Sequence, residues 1–155
     1  IQKGLVFILV IVALLLFLSS KASPDAPVTF AIKRIQEKAF LTLKSNPAER
    51  VDYLSSLLEN RLTELQSMVN NKSYGYILPS ASRYSTLAGQ ITDLVVANKM
   101  TDKVEAIRKQ FVNHRQILDQ VYVIYPKNTD NWEWKYIPDD YNYLKLYLDK
   151  LEEIK

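Results

Sequence analysis

The single histidine of the chain, His114, is the residue best suited to chemistry near neutral pH, because an imidazole can ligate a metal or carry a proton. No carboxylate stands three or four residues away, so the sequence offers no metal-binding pair on one helical face. His114 lies three residues after Phe111 and four before Leu118, within an apolar stripe. This spacing predicts a core histidine whose hydrogen bonds are satisfied inside the fold.

The acidic residues show no arrangement typical of a catalytic or metal site. Asp139 and Asp140 directly follow Pro138, and we interpret them as first-turn residues whose charge stabilises a helix N-terminus. Asn128, Asp130 and Asp139 do not have the spacing of a calcium-binding loop. The chain has no paired Glu-x-x-His motif, which excludes a ferritin-like di-metal site.

The composition excludes several further classes of protein. The absence of Cys excludes disulfides, thiolate catalysis and zinc–thiolate centres, and a single His excludes a multi-His metal site. Three glycines are too few and too scattered for a phosphate-binding loop, and no nucleophile-elbow pattern surrounds any serine. We therefore expect no enzymatic activity, no cofactor, no metal and no small-molecule substrate.

The net charge of +3 is too low and too dispersed for a nucleic-acid-binding protein. A mildly basic region comprises Lys99, Lys103, Arg108, Lys109 and Arg115. A solvated helix face explains this region most simply, with attraction to anionic lipid headgroups or acidic cell-wall polymers as the functional alternative. We expect no nucleic-acid partner.

The N-terminal part of the chain is strongly apolar. Residues 4–20 carry no charge and residues 5–18 are apolar throughout, which predicts a helix about 25 Å long. Lys3 and Lys21 flank this stretch and can extend to the two membrane interfaces. We predict a short transmembrane-type helix over residues 1–22, which anchors the protein in a bilayer or packs in the core of a filament. The side chains expected to make these contacts are Leu5, Phe7, Leu9, Ile11, Leu14, Leu16 and Phe17.

Two other interpretations of the apolar stretch stay open. Ser20-Lys21-Ala22 has the small-x-small pattern of a signal-peptide cleavage site, and a short apolar helix can also be a buried core helix. The filament interpretation is similar to type IV pilins in the position of the apolar helix alone. Pilins carry Glu at the fifth position, where this chain has Leu5.

The remainder of the chain has the apolar periodicity of helices almost to its end. Residues 23–27 form a proline-rich linker, and residues 28–155 are predicted to form a bundle of about five helices. Asn46-Pro47-Ala48-Glu49 is typical of a helix start, and the predicted stripe of the preceding helix is Val28, Ile32, Ile35, Ala39 and Leu43. The predicted fold is all-α: an apolar N-terminal helix followed by an up-and-down bundle or an array of helical hairpins.

Later helices are expected to begin at Pro79, Asp102 and Pro138, with a break over residues 70–75. The pattern Glu49-Arg50-Val51-Asp52 recurs in type as Asp102-Lys103-Val104-Glu105, which suggests two related hairpins. A short β-ribbon across residues 131–137 is the alternative to an irregular loop at 126–138.

Aromatic residues are concentrated in and around that loop. Tyr and Trp are enriched in protein interfaces because they bury a large area and retain a hydrogen-bonding group. The loop can instead fill the end of the core or contact a glycan. The interface candidates are Trp132, Trp134, Tyr136, Tyr143 and Tyr147.

Four segments resemble a family of bacterial helical domains of unknown function: residues 23–27, 32–38, 46–50 and 57–62. In that family a proline-containing linker follows a single membrane helix, and a Lys-Arg-containing helix and a Pro-capped helix come next. That family often has an aromatic residue followed by Pro before the Lys-Arg step. This chain differs there, since it has Thr29-Phe30-Ala31. The resemblance covers about residues 23–70 and implies a membrane-tethered, extracytoplasmic module without catalytic residues.

The resemblance implies that the domain is extracytoplasmic. The positive charges that follow the apolar helix favour a cytoplasmic domain instead. Together these features predict a non-enzymatic, membrane-anchored structural or interaction protein on the extracytoplasmic side or cell surface. Its expected partners are the lipid bilayer and other protein subunits or copies of itself. The alternative is a pilin-like filament subunit, or a subunit of a large membrane complex that packs through its apolar helix.

Overall fold

The computed structural model describes residues 2–127 and 132–154, with only the backbone described for residues 2 and 3. Six α-helices account for most of these residues: α1 Gln2–Ser20, α2 Pro27–Thr42, α3 Pro47–Asn70, α4 Ile77–Ala97, α5 Thr101–Ile124 and α6 Tyr136–Glu152. Short 3₁₀ turns at Tyr74–Tyr76 and Glu133–Lys135 precede α4 and α6. The predicted all-α class and the five helices after the apolar helix are confirmed, and no β-ribbon forms among the described residues.

The chain divides into two compact units, residues 1–43 and 44–155. The first unit contains α1 and α2, and the second contains the four helices α3 to α6. The predicted proline-rich linker at residues 23–27 therefore lies within the first unit, where it joins α1 to α2. Helix α2, which we expected to belong to the bundle, groups with α1 instead.

In the second unit, α3 packs against α4, and α6 lies between α4 and α5. The predicted apolar stripes face inward and form a continuous core, in which Val51, Leu58, Leu65, Ile91 and Phe111 are fully buried. Burying an apolar side chain of this size contributes about 1.5–3 kcal/mol, so the core stabilises this unit.

Local signals explain where α3 begins and ends. The Asn46 side chain accepts a hydrogen bond from the Ala48 amide at 2.9 Å, and Pro47 occupies the first helical position, as predicted. After Asn70 the chain turns at Lys72, whose φ of 58° is left-handed, and the Ser73 amide donates to the Met68 carbonyl. The predicted break at residues 70–75 is therefore confirmed.

Other helix starts were displaced from their predicted positions. Helix α4 begins at Ile77, two residues before Pro79, and α5 begins at Thr101 rather than at an Asp102 cap. The predicted aromatic loop at 126–138 is also shorter, because residues 133–135 form a 3₁₀ turn and α6 begins at Tyr136. Proline is tolerated in a first helical turn, so Pro79 and Pro138 lie inside their helices.

Most of the predicted apolar stripe of α2 is exposed. Val28 and Leu43 are each 75% exposed, whereas Phe30 and Lys33 are the buried residues of this helix. The Lys33 ammonium donates to the Ala22 carbonyl at 3.2 Å and lies 5.9 Å from the Phe30 ring centroid. Lys33 therefore lies on the inward side of α2, where it hydrogen-bonds Ala22 in the segment that follows α1.

Helix α1 forms over the predicted residues as one continuous helix. However, none of the helices formed by the described residues combines the length and the apolar character needed to cross a membrane. This finding corrects the predicted transmembrane span at residues 1–22. The charge-free residues 4–20 extend over about 25 Å, less than a hydrocarbon core of about 30 Å.

Candidate functional site

A row of polar contacts joins α3 to α5, and we call it the α3–α5 seam. Its members are Asp52, Ser55 and Glu59 on α3 and Lys103, Gln110 and His114 on α5. The two helices run in the same direction along the seam, since Asp52 pairs with Lys103 and Glu59 pairs with His114. The spacing of 52, 55 and 59 places these three residues on one face of α3.

His114 is the buried centre of the seam. Its side chain is fully buried, with Nε2 2.8 Å from Glu59 Oε1 and Nδ1 2.9 Å from the Tyr84 hydroxyl of α4. Burial lowers the pKa of His114, and the neighbouring Glu59 only partly opposes this lowering. His114 is therefore neutral at pH 7.

The protonation states of its partners fix the tautomer of His114. Burial raises the pKa of Glu59, but hydrogen bonds from Gln110 and His114 outweigh burial and leave it below its usual value. An ionised carboxylate can only accept, so Nε2–H donates to Glu59 and Nδ1 accepts from the Tyr84 hydroxyl. Both ring nitrogens are thus engaged, and the prediction that His114 is a satisfied core histidine is confirmed by its contacts.

Asp140 of α6 extends this polar cluster across the core. It is 2% exposed and its Oδ2 atom has no hydrogen-bond partner, while the nearby Ser85 hydroxyl of α4 donates to the Ala81 carbonyl at 3.1 Å. Burial, with a contribution from Asp139, raises the pKa of Asp140 to about 8. The pKa of Tyr84 is raised well above its usual value, first by burial and then by Asp140 and Glu59.

The cluster contains side chains of types that can do chemistry, but they lie inside the core. Tyr84 and His114 are fully buried, so neither presents a reacting atom at the surface. Among the residues that the structure describes, no group of three His, Asp or Glu side chains could hold a metal ion. The hydrogen bonds of His114 connect α5 to α3 and to α4.

The structure separates the predicted aromatic interface into two groups. The first, here called the Trp cluster, consists of Tyr122, Lys127, Trp132, Trp134 and Lys135. The rings of Tyr122 and Trp134 are 6.0 Å apart, and the Lys135 ammonium lies 4.3 Å from the Trp132 ring centroid. Trp132 is 67% exposed, Trp134 is half-buried, and Lys127 lies 3.7 Å from the Tyr122 ring centroid. Cations stacked on rings in this way stabilise an exposed aromatic surface.

The second group is the Tyr pair, Tyr143 and Tyr147 on α6. Their rings stack with centroids 6.2 Å apart, and the exposed Tyr143 lies outside Tyr147. The Tyr147 hydroxyl approaches α4 so closely that a side chain on Gly89 would have its Cβ only 2.8 Å away. Tyr147 is therefore a packing residue, whereas Tyr143 is 47% exposed. Tyr136, the remaining candidate, is half-buried at the first residue of α6.

The candidate contact residues of α1 all lie on an exposed surface: Leu5, Phe7, Leu9, Ile11, Leu14, Leu16 and Phe17. They point in every direction around the helix, as expected for a stretch without a polar face. The side chain of Gln36 on α2 donates to the Leu16 carbonyl at 3.1 Å, which ties the two helices of this unit together.

Sequence reasoning missed most of the polar cluster. The partners of His114 are Glu59 and Tyr84, which stand 55 and 30 residues away along the chain. It also missed a buried ion pair inside α3, where Arg61 Nη1 lies 2.6 Å from Glu64 Oε1. A signal for that pair existed, since charges three residues apart on one helix are neighbours.

A family model described as "Domain of unknown function (DUF5667)" matches residues 21–128. The match bears out the resemblance to a family of unknown function and extends it well beyond residue 70. No curated protein and no solved structure matches the chain.

Proposed function

We propose that this chain, which belongs to the DUF5667 family of domains of unknown function, is a non-enzymatic attachment and interaction module. The observation that carries the proposal is the exposure of α1. Every large apolar side chain from Leu5 to Leu18 leaves 40–66% of its surface uncovered. Because such a surface is unstable in water, α1 needs an apolar environment supplied from outside the chain.

Lipid is the environment that best fits an apolar helix without a polar face. A single protein interface covers one stripe of a helix, whereas acyl chains cover all sides equally. Lys21 lies at the end of α1, with its ammonium 5.8 Å from the Phe17 ring centroid, where it can extend toward headgroups. We therefore propose membrane attachment through α1, and this attachment does not require the helix to cross the bilayer.

The four-helix unit would act as the interaction platform of the attached protein. Its chemically reactive side chains hydrogen-bond one another in the core, as the Tyr84–His114–Glu59 contacts illustrate. The exposed Trp132 and Tyr143 supply aromatic contact area for a partner protein. A bacterial and extracytoplasmic setting is the part of this proposal that rests on the sequence resemblance alone.

One observation favours a second candidate, a subunit that packs through α1 in a filament or large complex. The described helices include none suited to crossing a membrane, and helices of neighbouring subunits could cover α1 as completely as lipid does. A filament requires a contact between unlike surfaces that repeats without closing.

Flotation with phosphatidylcholine vesicles tests the attachment of the full-length chain, reconstituted from detergent. The variant carrying both Leu9→Asp and Leu14→Asp should stay at the bottom of the gradient, because each buried Asp costs about 2.5–3.5 kcal/mol in an apolar membrane layer. The matched control carries Val123→Asp and Ile124→Asp, which alter similarly exposed side chains of α5 and should leave flotation unchanged.

Co-flotation of the α1 variant with the vesicles would contradict membrane attachment. If the wild-type chain instead forms sedimentable polymers without lipid, and the α1 variant disperses them, the filament proposal replaces the membrane proposal. Far-UV circular dichroism of both variants should show the helicity of the wild-type protein.

A further inference from the structure

Asp140 is a buried carboxyl group at the contact between α6 and α4. Its side chain is 2% exposed, and its Oδ2 atom is buried without a hydrogen-bond partner. Helix α6 packs against both α4 and α5, so Asp140 belongs to the helix that joins these two. An ionised carboxylate in such surroundings is strongly disfavoured, whereas the neutral acid is tolerated.

The ion pairs of the described residues do not include Asp140, and the cations around α6 have other contacts. On α4, Arg83 Nη2 donates to Ser80 Oγ at 3.0 Å. On α5, the Arg115 guanidinium stacks 4.2 Å from the Tyr141 ring centroid, and Arg108 pairs with Glu152.

Apart from Lys135, the remaining titratable groups around Asp140 are acidic, phenolic or neutral. The Lys135 ammonium, in the 3₁₀ turn before α6, lies over the Trp132 ring, and Glu133 accepts a hydrogen bond from the Leu78 amide. The groups coupled to the Asp140 carboxyl are Asp139 and Tyr147 on α6 and Tyr84 on α4, and Tyr84 links it to neutral His114 and to Glu59. Loss of a proton from Asp140 therefore leaves a buried negative charge beside other acidic groups.

We propose that a proton on Asp140 holds α6 on the bundle, and that loss of this proton loosens α6 together with the aromatic side chains it carries. The loosened state would free Tyr147 from α4 and expose the whole Tyr pair. The pH of the surroundings would thus control how much of the Tyr pair is exposed.

The direction of the pH effect follows from the proton balance between the folded and unfolded chains. Burial raises the pKa of Asp140 to about 8 in the folded protein, whereas an unfolded Asp titrates near about 3.9. Between these values the folded protein binds the extra proton, so stability falls as pH rises through this window and levels off above pH 8.

His114 acts in the opposite direction in the acid part of this window. Because burial lowers its pKa, the unfolded chain binds the imidazole proton more readily than the folded protein does. Its contribution therefore makes stability rise with pH, up to its ordinary pKa of about 6.5. The effect of Asp140 is consequently clearest between pH 6.5 and 8.

Urea unfolding of the full-length chain in a non-ionic detergent, followed by far-UV circular dichroism, tests the proposal. At constant ionic strength the unfolding equilibrium constant of the wild type should rise by about tenfold from pH 6.5 to 7.5 and become nearly constant above pH 8.5. Asp140→Asn, which mimics the neutral acid, should remove this rise. Asp139→Asn changes the exposed neighbour and should keep it.

A wild-type stability that does not fall between pH 6.5 and 8 would overturn the proposal, whether or not any variant folds. A fall that persists in Asp140→Asn would overturn it as well. Asp140→Ser offers a second neutral side chain if the Asn variant does not fold, and the same loss of the pH effect is expected.

Amide hydrogen exchange at pH 8.5 tests whether α6 responds separately from the rest of the unit. Compared with Asp140→Asn at the same pH, the wild type should exchange faster in α6 and equally fast in α3. Equal acceleration in all four helices would mean global destabilisation, and the proposed local release of α6 would then be wrong.

Discussion

The two units of the chain treat their apolar residues in opposite ways. In the four-helix unit, residues such as Leu58 and Phe111 are fully buried, and even polar His114 is enclosed. In the α1–α2 unit, Leu9 and Ile35 are 59% and 68% exposed. Helix α2 has the same apolar periodicity as the helices of the four-helix unit, so periodicity alone does not reveal whether an apolar stripe is covered within the chain.

The difference suggests a division of labour. A four-helix arrangement gives each apolar stripe neighbours on two sides, whereas a pair of helices can bury only one stripe of each. The four-helix unit therefore completes its own core, whereas the α1–α2 unit leaves most of its apolar side chains exposed, which is the basis of the proposed attachment to lipid.

The largest expected effect is the loss of stability on removing a core side chain of the four-helix unit, compared with an exposed side chain of α2. Phe111→Ala should lower the free energy of unfolding by about 3–5 kcal/mol, because it leaves a cavity in a closed core. Ile35→Ala, on the exposed stripe of α2, should change it by less than about 0.5 kcal/mol. Urea unfolding followed by far-UV circular dichroism measures both values. A cost for Ile35→Ala as large as that for Phe111→Ala would mean that the α2 stripe is covered within the chain.

An intermediate effect is expected in the α3–α5 seam. Glu59→Ala leaves the buried Nε2–H of His114 without its acceptor, which should cost about 1–3 kcal/mol at pH 7. Glu105→Ala, at an exposed position on α5, serves as the matched control and should be nearly neutral. The same urea unfolding experiment separates them, and equal values for the two variants would show that the hydrogen bond to His114 contributes nothing measurable.

The smallest loss of stability is expected from breaking the ion pair at the exposed end of the same seam. Lys103 Nζ lies 2.7 Å from Asp52 Oδ1, but Asp52 is 64% exposed, so water and salt weaken the pair. Lys103→Ala should therefore cost less than about 1 kcal/mol, and the cost should shrink in 1 M NaCl. A loss larger than that of Glu59→Ala would reverse the ranking of buried and exposed contacts along the seam.

Local residue patterns were sufficient for the elements of the fold. The capping residue Asn46, the following Pro47 and the break after Asn70 act within a few residues of themselves, so α3 was predicted nearly to its ends. The starts of α4 and α6 were predicted two residues late, because a proline inside a first turn resembles a proline that opens a helix. The aromatic candidates were found by composition, but the separation of Tyr147 from Trp132 required the packing of α6 on α4.

The sequence by itself determined that the chain is helical, that one end is apolar on all sides, and that His114 faces a core, since these properties depend on neighbours along the chain. Only the tertiary structure decided that α2 turns most of its apolar stripe outward, that buried His114 pairs with Glu59 and Tyr84, and that Asp140 is buried. The physical reason is distance along the chain: hydrogen bonds and burial between residues 30 to 55 positions apart depend on how helices are placed side by side, and no periodicity within a single helix encodes that placement.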